Sequence, residues 1–87
     1  MIGKPAVPDL VEAIASSATS EIARDNAIHV VFFIYRSDVA ESVRVLIRAS
    51  KASSDWESSM RLYDAARDTA AMCKDSRNSC MSALSER

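Results

Sequence analysis

Few residues in this chain have the type and spacing needed for chemistry. His29 is the sole histidine, so no second imidazole can share a metal or a proton with it. It stands among Ile28, Val30 and Val31, and the expected reading is a core or interface histidine with one hydrogen-bond partner, not a ligand or general base. Cys73 and Cys80 are seven positions apart. On one continuous helix they share a face about 10 Å from each other. That is too far for a disulfide within the helix or for one common metal. Buried, small, apolar cysteines are expected, with pairing or a shared metal across a symmetric contact as the alternatives. A single glycine cannot build a phosphate-cradling loop. The expectation is a protein with no catalytic residue, no cofactor and no metal, and therefore not an enzyme.

Charge offers one candidate surface. Arg44, Arg48 and Lys51 recur at i, i+4 and i+7, with Arg36 just before them. A solvated helix face is the ordinary meaning of such a stripe. The other meaning is a seat for an anionic ligand, a phosphate backbone or an acidic partner. Residues 36–54 carry four basic and two acidic side chains, a local +2, whereas the whole chain is −1. That balance makes nucleic acid or a nucleotide the less favoured partner. Trp56 and Tyr63, one heptad apart, are expected as core anchors and not as a stacking platform.

The elements that position these residues are legible from the spacing of apolar side chains. Apolar residues make up 48% of the 87 and charged residues 26%, the composition of a globular domain. The one glycine and both prolines fall at or before position 8, so nothing later forces a helix to end. Residues 1–8 are expected to be an extended lead-in and 9–87 a single helical domain. Helix starts are expected where a capping residue precedes a glutamate by three: Asp9 and Glu12, Asp38 and Glu41, Ser54 and Glu57. The pattern predicts helices over about 10–36, 39–50 and 55–85, with Glu57–Arg61 and Asp64–Arg67 as supporting charge pairs. The run 28–35 is rich in Val, Ile, Phe and Tyr, which also suits a strand. A lone strand has no partner within the chain, so helix is the preferred reading.

At about 1.5 Å per residue these helices span about 40, 18 and 46 Å, so they cannot cover one another in a single copy. Either helix 1 or helix 3 breaks, or a second copy or another protein covers the overhangs. The apolar character of 27–35 favours association, through Ile28, Val31, Phe32, Phe33, Tyr35, Trp56 and Tyr63. The expected fold is all-α: a small three-helix bundle, or four helices if helix 1 or helix 3 breaks, that associates with itself. The expected function is a non-enzymatic interaction protein, an adaptor, inhibitor or immunity-type factor acting as a homo-oligomer on an unknown protein. The alternative is an anionic-ligand or nucleic-acid binding module built on Arg36, Arg44, Arg48 and Lys51. No apolar run approaches the roughly 20 residues a membrane span needs, and the initiating Met makes a cytoplasmic setting the simpler expectation.

Overall fold

Between positions 16 and 20 the chain places three serines and a threonine in five residues. Such side chains satisfy nearby backbone groups in place of the helical ladder. In the computed structural model, which describes residues 3–74 and 77–86, they do so here. The Ser16 hydroxyl accepts from the Ala18 N–H and the Ser20 hydroxyl from the Ala23 N–H, both at 3.1 Å. The expected helix over 10–36 is therefore two helices, α1 (Val7–Ala15) and α2 (Glu21–Ile34). The open carbonyl end of α1 is closed by two arginines from other helices. Arg24 on α2 donates to the carbonyls of Ile14, Ser16 and Thr19 at 3.1, 2.8 and 2.9 Å. Arg61 donates from Nε to the Ala15 carbonyl at 2.6 Å. Guanidinium groups there also oppose the negative end of the helix dipole.

The remaining helices are α3 (Val39–Ala52), α4 (Trp56–Met72) and α5 (Arg77–Leu84). The all-α class holds, but the described residues form five α-helices, not three or four. The expected helix over 55–85 ends at Met72, where Cys73 takes an extended conformation. That turn brings the Cys73 and Cys80 Cα atoms to 6.5 Å, and the two side chains form a disulfide. The exclusion of a disulfide assumed one continuous helix; the break removes the assumption. Asp75 and Ser76, within the suspected bend at 74–79, lie outside the described residues.

Run 28–35 is helical up to Ile34, and no strand occurs among the described residues. The lead-in differs from the extended segment expected over 1–8: Lys4–Ala6 is a 3-10 turn and α1 already starts at Val7, with Pro8 in its first turn. Asp9 therefore lies inside α1 and caps nothing. Asp38 is at the N-cap of α3 without a side-chain bond, and α4 is capped by Asp55, not Ser54. The Asp55 carboxylate accepts from the Ser58 N–H at 2.9 Å.

Five short helices fit where three long ones do not. The chain spans 33 × 30 × 21 Å, less than the 46 Å rod that one unbroken last helix requires. The most extensive packing is α3 on α4; α5 lies against α3, and α1 against α2 and α4. Ile14, Val31, Val43, Leu46, Ile47 and Leu62 meet in the centre with the alanines of α4. Full burial of each larger side chain contributes about 1.5–3 kcal/mol. The α3–α4 contact is close because it is lined by small residues. There Ser50 and Ser59 bond reciprocally, each hydroxyl donating to the other's carbonyl at 3.0 and 2.9 Å.

Candidate functional site

The basic stripe of α3 is assembled as its spacing implies, but it is turned on the chain's own acids. Glu41, one turn before Arg44, accepts from Arg48 at 2.8 Å and from Arg44 at 3.5 Å. Arg44 also reaches the Glu86 carboxylate at 3.4 Å, and the Lys51 ammonium donates to the Glu86 backbone carbonyl. Arg44 and Lys51 thus hold the end of the α5 segment onto α3. The Arg48 hydrogen bond draws the Glu41 carboxyl below its ordinary value; partial burial opposes this, and the charges of Arg48 and Arg44 add to it. For Arg44, desolvation acts to lower the pKa, and its bonds to Glu86 and Glu41 overcome that to raise it. Arg36 stands apart at the α2–α3 corner. It donates to the Phe33 carbonyl at 3.1 Å, and its guanidinium lies 4.4 Å from the centre of the Phe33 ring.

The seven residues expected to form one association surface divide into three groups. Ile28 and Val31 are buried in the chain's own core. Phe32, Tyr35 and Tyr63 are half-buried against it. Phe33 and Trp56 stay 62% and 67% exposed. Trp56 is therefore no core anchor: it occupies the first position of α4 with its side chain largely in solvent. His29 is likewise exposed, not buried, and its Nδ1–H bonds the Asp25 carbonyl at 2.8 Å.

Two further exposed apolar side chains, Ile22 at 76% and Met81 at 48%, escape a reading of the sequence as long helices. Ile22 falls on the apolar face of an unbroken helix 1, and only the restart at Ser20 rotates it outward. Met81 follows Cys80 on α5 and borders a groove between α4 and α5 of about 470 Å³. A second depression, of about 390 Å³, lies at the α2–α3 corner beside Phe32, Arg36, Asp38 and Lys74. Both clefts are open to solvent and share Cys73 and Lys74 in their walls.

Among the described residues, no three or more His, Cys, Asp or Glu are grouped to hold a metal ion. No described helix is long and apolar enough to cross a membrane. Compared with known proteins, the chain matches no family model, no curated protein and no solved structure.

Proposed function

We propose that this chain is a small, non-enzymatic helical module that works by binding another protein, as an adaptor, inhibitor or immunity-type factor, and that it also associates with itself. The observation carrying this reading is the exposure of Phe33 and Trp56 on a bundle that already closes its own core. Hydrated aromatic rings add little to the stability of the free chain. Covering each against a partner is worth about 1.5–3 kcal/mol, and aromatic residues dominate the energetics of protein interfaces. The overhanging rods expected from the sequence no longer support association, because the helices break. Support comes from these exposed side chains and from the exposure of Ile22 and Met81 elsewhere on the surface. The anionic-ligand reading loses ground because Arg44, Arg48 and Lys51 are engaged with Glu41 and Glu86. The Cys73–Cys80 disulfide favours an oxidising compartment over the cytoplasmic setting expected from the sequence.

The test pairs affinity capture from the native cell, read by mass spectrometry, with sedimentation equilibrium at micromolar concentration. Both are run on the natural chain and on a Phe33→Ser/Trp56→Ser variant. The reading requires a captured protein, and a self-associated fraction, that the variant loses. Equal capture by the two chains overturns the role of these aromatics, and a monomer at every concentration removes self-association.

A further inference from the structure

One face of α2 is left uncovered by the rest of the bundle. Ile22, Asn26, His29 and Phe33 follow one another at intervals of four, three and four residues, which places them in one row on a continuous helix. All four lie within Glu21–Ile34 and all four are exposed, Ile22 at 76% and Phe33 at 62%. Ala27, Ile28 and Val31, on the other side of the same helix, are buried in the core. The row runs for about 16 Å at the helical rise. Its order is also symmetric. Ile22 and Phe33 lie equally far from the Ala27–Ile28 peptide, and so do Asn26 and His29. A two-fold axis at that peptide, perpendicular to α2, lays an antiparallel copy with apolar on apolar at both ends and polar on polar between them.

We propose that a second copy of this chain docks on this face, the two α2 helices crossing antiparallel with Ile22 against the partner copy's Phe33 and Asn26 against the partner copy's His29. The inference rests on the self-association proposed above and names the surface and symmetry that produce it. Three features point to a second copy as the occupant. The apolar ends match each other only in the antiparallel register, which covers Ile22 and Phe33 twice in each dimer. The polar centre is complementary as well. The His29 Nδ1–H is held by the Asp25 carbonyl at 2.8 Å, so in the neutral ring Nε2 is left as an acceptor. The Asn26 amide, which makes no hydrogen bond among the described residues, supplies the donor. A polar pair in an apolar seam fixes its register. The charges agree too. Glu21 precedes Ile22, and the Arg36 guanidinium lies 4.4 Å from the centre of the Phe33 ring. Setting Phe33 on the partner copy's Ile22 therefore brings Arg36 beside the partner copy's Glu21, at both ends of the dimer.

The test is sedimentation equilibrium of the oxidised full chain up to millimolar concentration, with circular dichroism confirming that each variant folds. Glu21→Arg sets arginine against Arg36, and Arg36→Glu sets glutamate against Glu21. Each variant alone therefore associates about tenfold more weakly than the natural chain. An equimolar mixture of the two recovers association to within a few-fold, because the mixed dimer again faces arginine with glutamate at both ends. Ile22→Ser, a change at an exposed position, weakens association at least about tenfold. A mixture no tighter than either variant alone, or a dimer indifferent to Ile22→Ser, overturns the α2 seam. Loss of association in the Phe33→Ser/Trp56→Ser variant then leaves the broader self-association standing on another surface. A monomer at every concentration overturns the seam and the self-association together, and the capture experiment above still decides whether the chain binds another protein.

Discussion

The Sγ atoms of Cys73 and Cys80 are joined although a helix of seven residues would hold them about 10 Å apart. The bond exists because α4 stops at Met72 and α5 starts at Arg77, folding the second cysteine back onto the first. Helix α5 has eight residues, too few to persist alone in water. Its hold on the bundle is the disulfide, the buried Cys80 and Ala83, and the Glu86 contacts to Arg44 and Lys51.

A Cys73→Ala/Cys80→Ala variant should lose about 2 kcal/mol of stability, the loop-closure contribution of so short a ring. Hydrogen exchange should localise the loss, with α5 amides exposed while α1–α4 stay protected. Uniform loss of protection over all five helices would show that α5 is not a separately held element.

The α1 terminus gives a second test. Arg24→Ala should cost about 2 kcal/mol in urea denaturation, since three backbone carbonyls lose a charged donor. Arg24→Lys should recover little of it, because one ammonium cannot reproduce the planar fork that reaches all three. Full recovery by lysine would mean that charge alone, not geometry, closes α1.

Core and surface should respond in opposite ways. Leu46→Ala should cost about 2–5 kcal/mol, because Leu46 is fully buried between α3 and its neighbours. Trp56→Ala should stay within about 0.5 kcal/mol of the natural chain. A large loss for Trp56→Ala would place the indole in the core.

Acid should weaken the fold through depressed carboxyls. The Glu41 pKa is lowered from 4.5, chiefly by the Arg48 hydrogen bond, and the Asp55 pKa from 3.8, chiefly by the Ser58 hydroxyl. A carboxyl whose folded value is depressed stabilises the fold above its ordinary value and loses that contribution as pH falls through the depressed one. Melting temperature should therefore hold near neutrality and fall below about pH 4.5. Glu41→Gln should lower the neutral plateau slightly and make the acid limb shallower. An unchanged acid limb would remove Glu41 from the account.

The sequence made the helical class readable because apolar side chains recur at helical spacing and because glycine and proline are confined to the first eight positions. It also exposed the Glu57–Arg61 and Asp64–Arg67 pairs, which form at 3.9 and 3.8 Å. The helix breaks were harder to place. Serine and threonine at 16–20 end a helix only when their hydroxyls find backbone donors and when Arg24 and Arg61, remote in sequence from Ala15, cover its carbonyls. Once the breaks are misplaced, every facing argument downstream shifts. Trp56 is assigned to the core, Ile22 falls on the apolar face of an unbroken helix, and the two cysteines stand about 10 Å apart on one rod. The stripe Arg44, Arg48 and Lys51 was visible, but its partner Glu86 lies on a segment that only the α4–α5 turn brings near.

The central claim is that a self-sufficient core leaves large apolar side chains for a partner, and the sole tryptophan, Trp56, reports on it directly. The decisive measurement is its fluorescence emission and iodide quenching on the dilute, monomeric chain and again as concentration is raised or the captured partner is added. The account requires red-shifted, readily quenched emission from the monomer, moving to shorter wavelength with loss of quenching on association. Blue, quencher-resistant emission from the isolated monomer would contradict it.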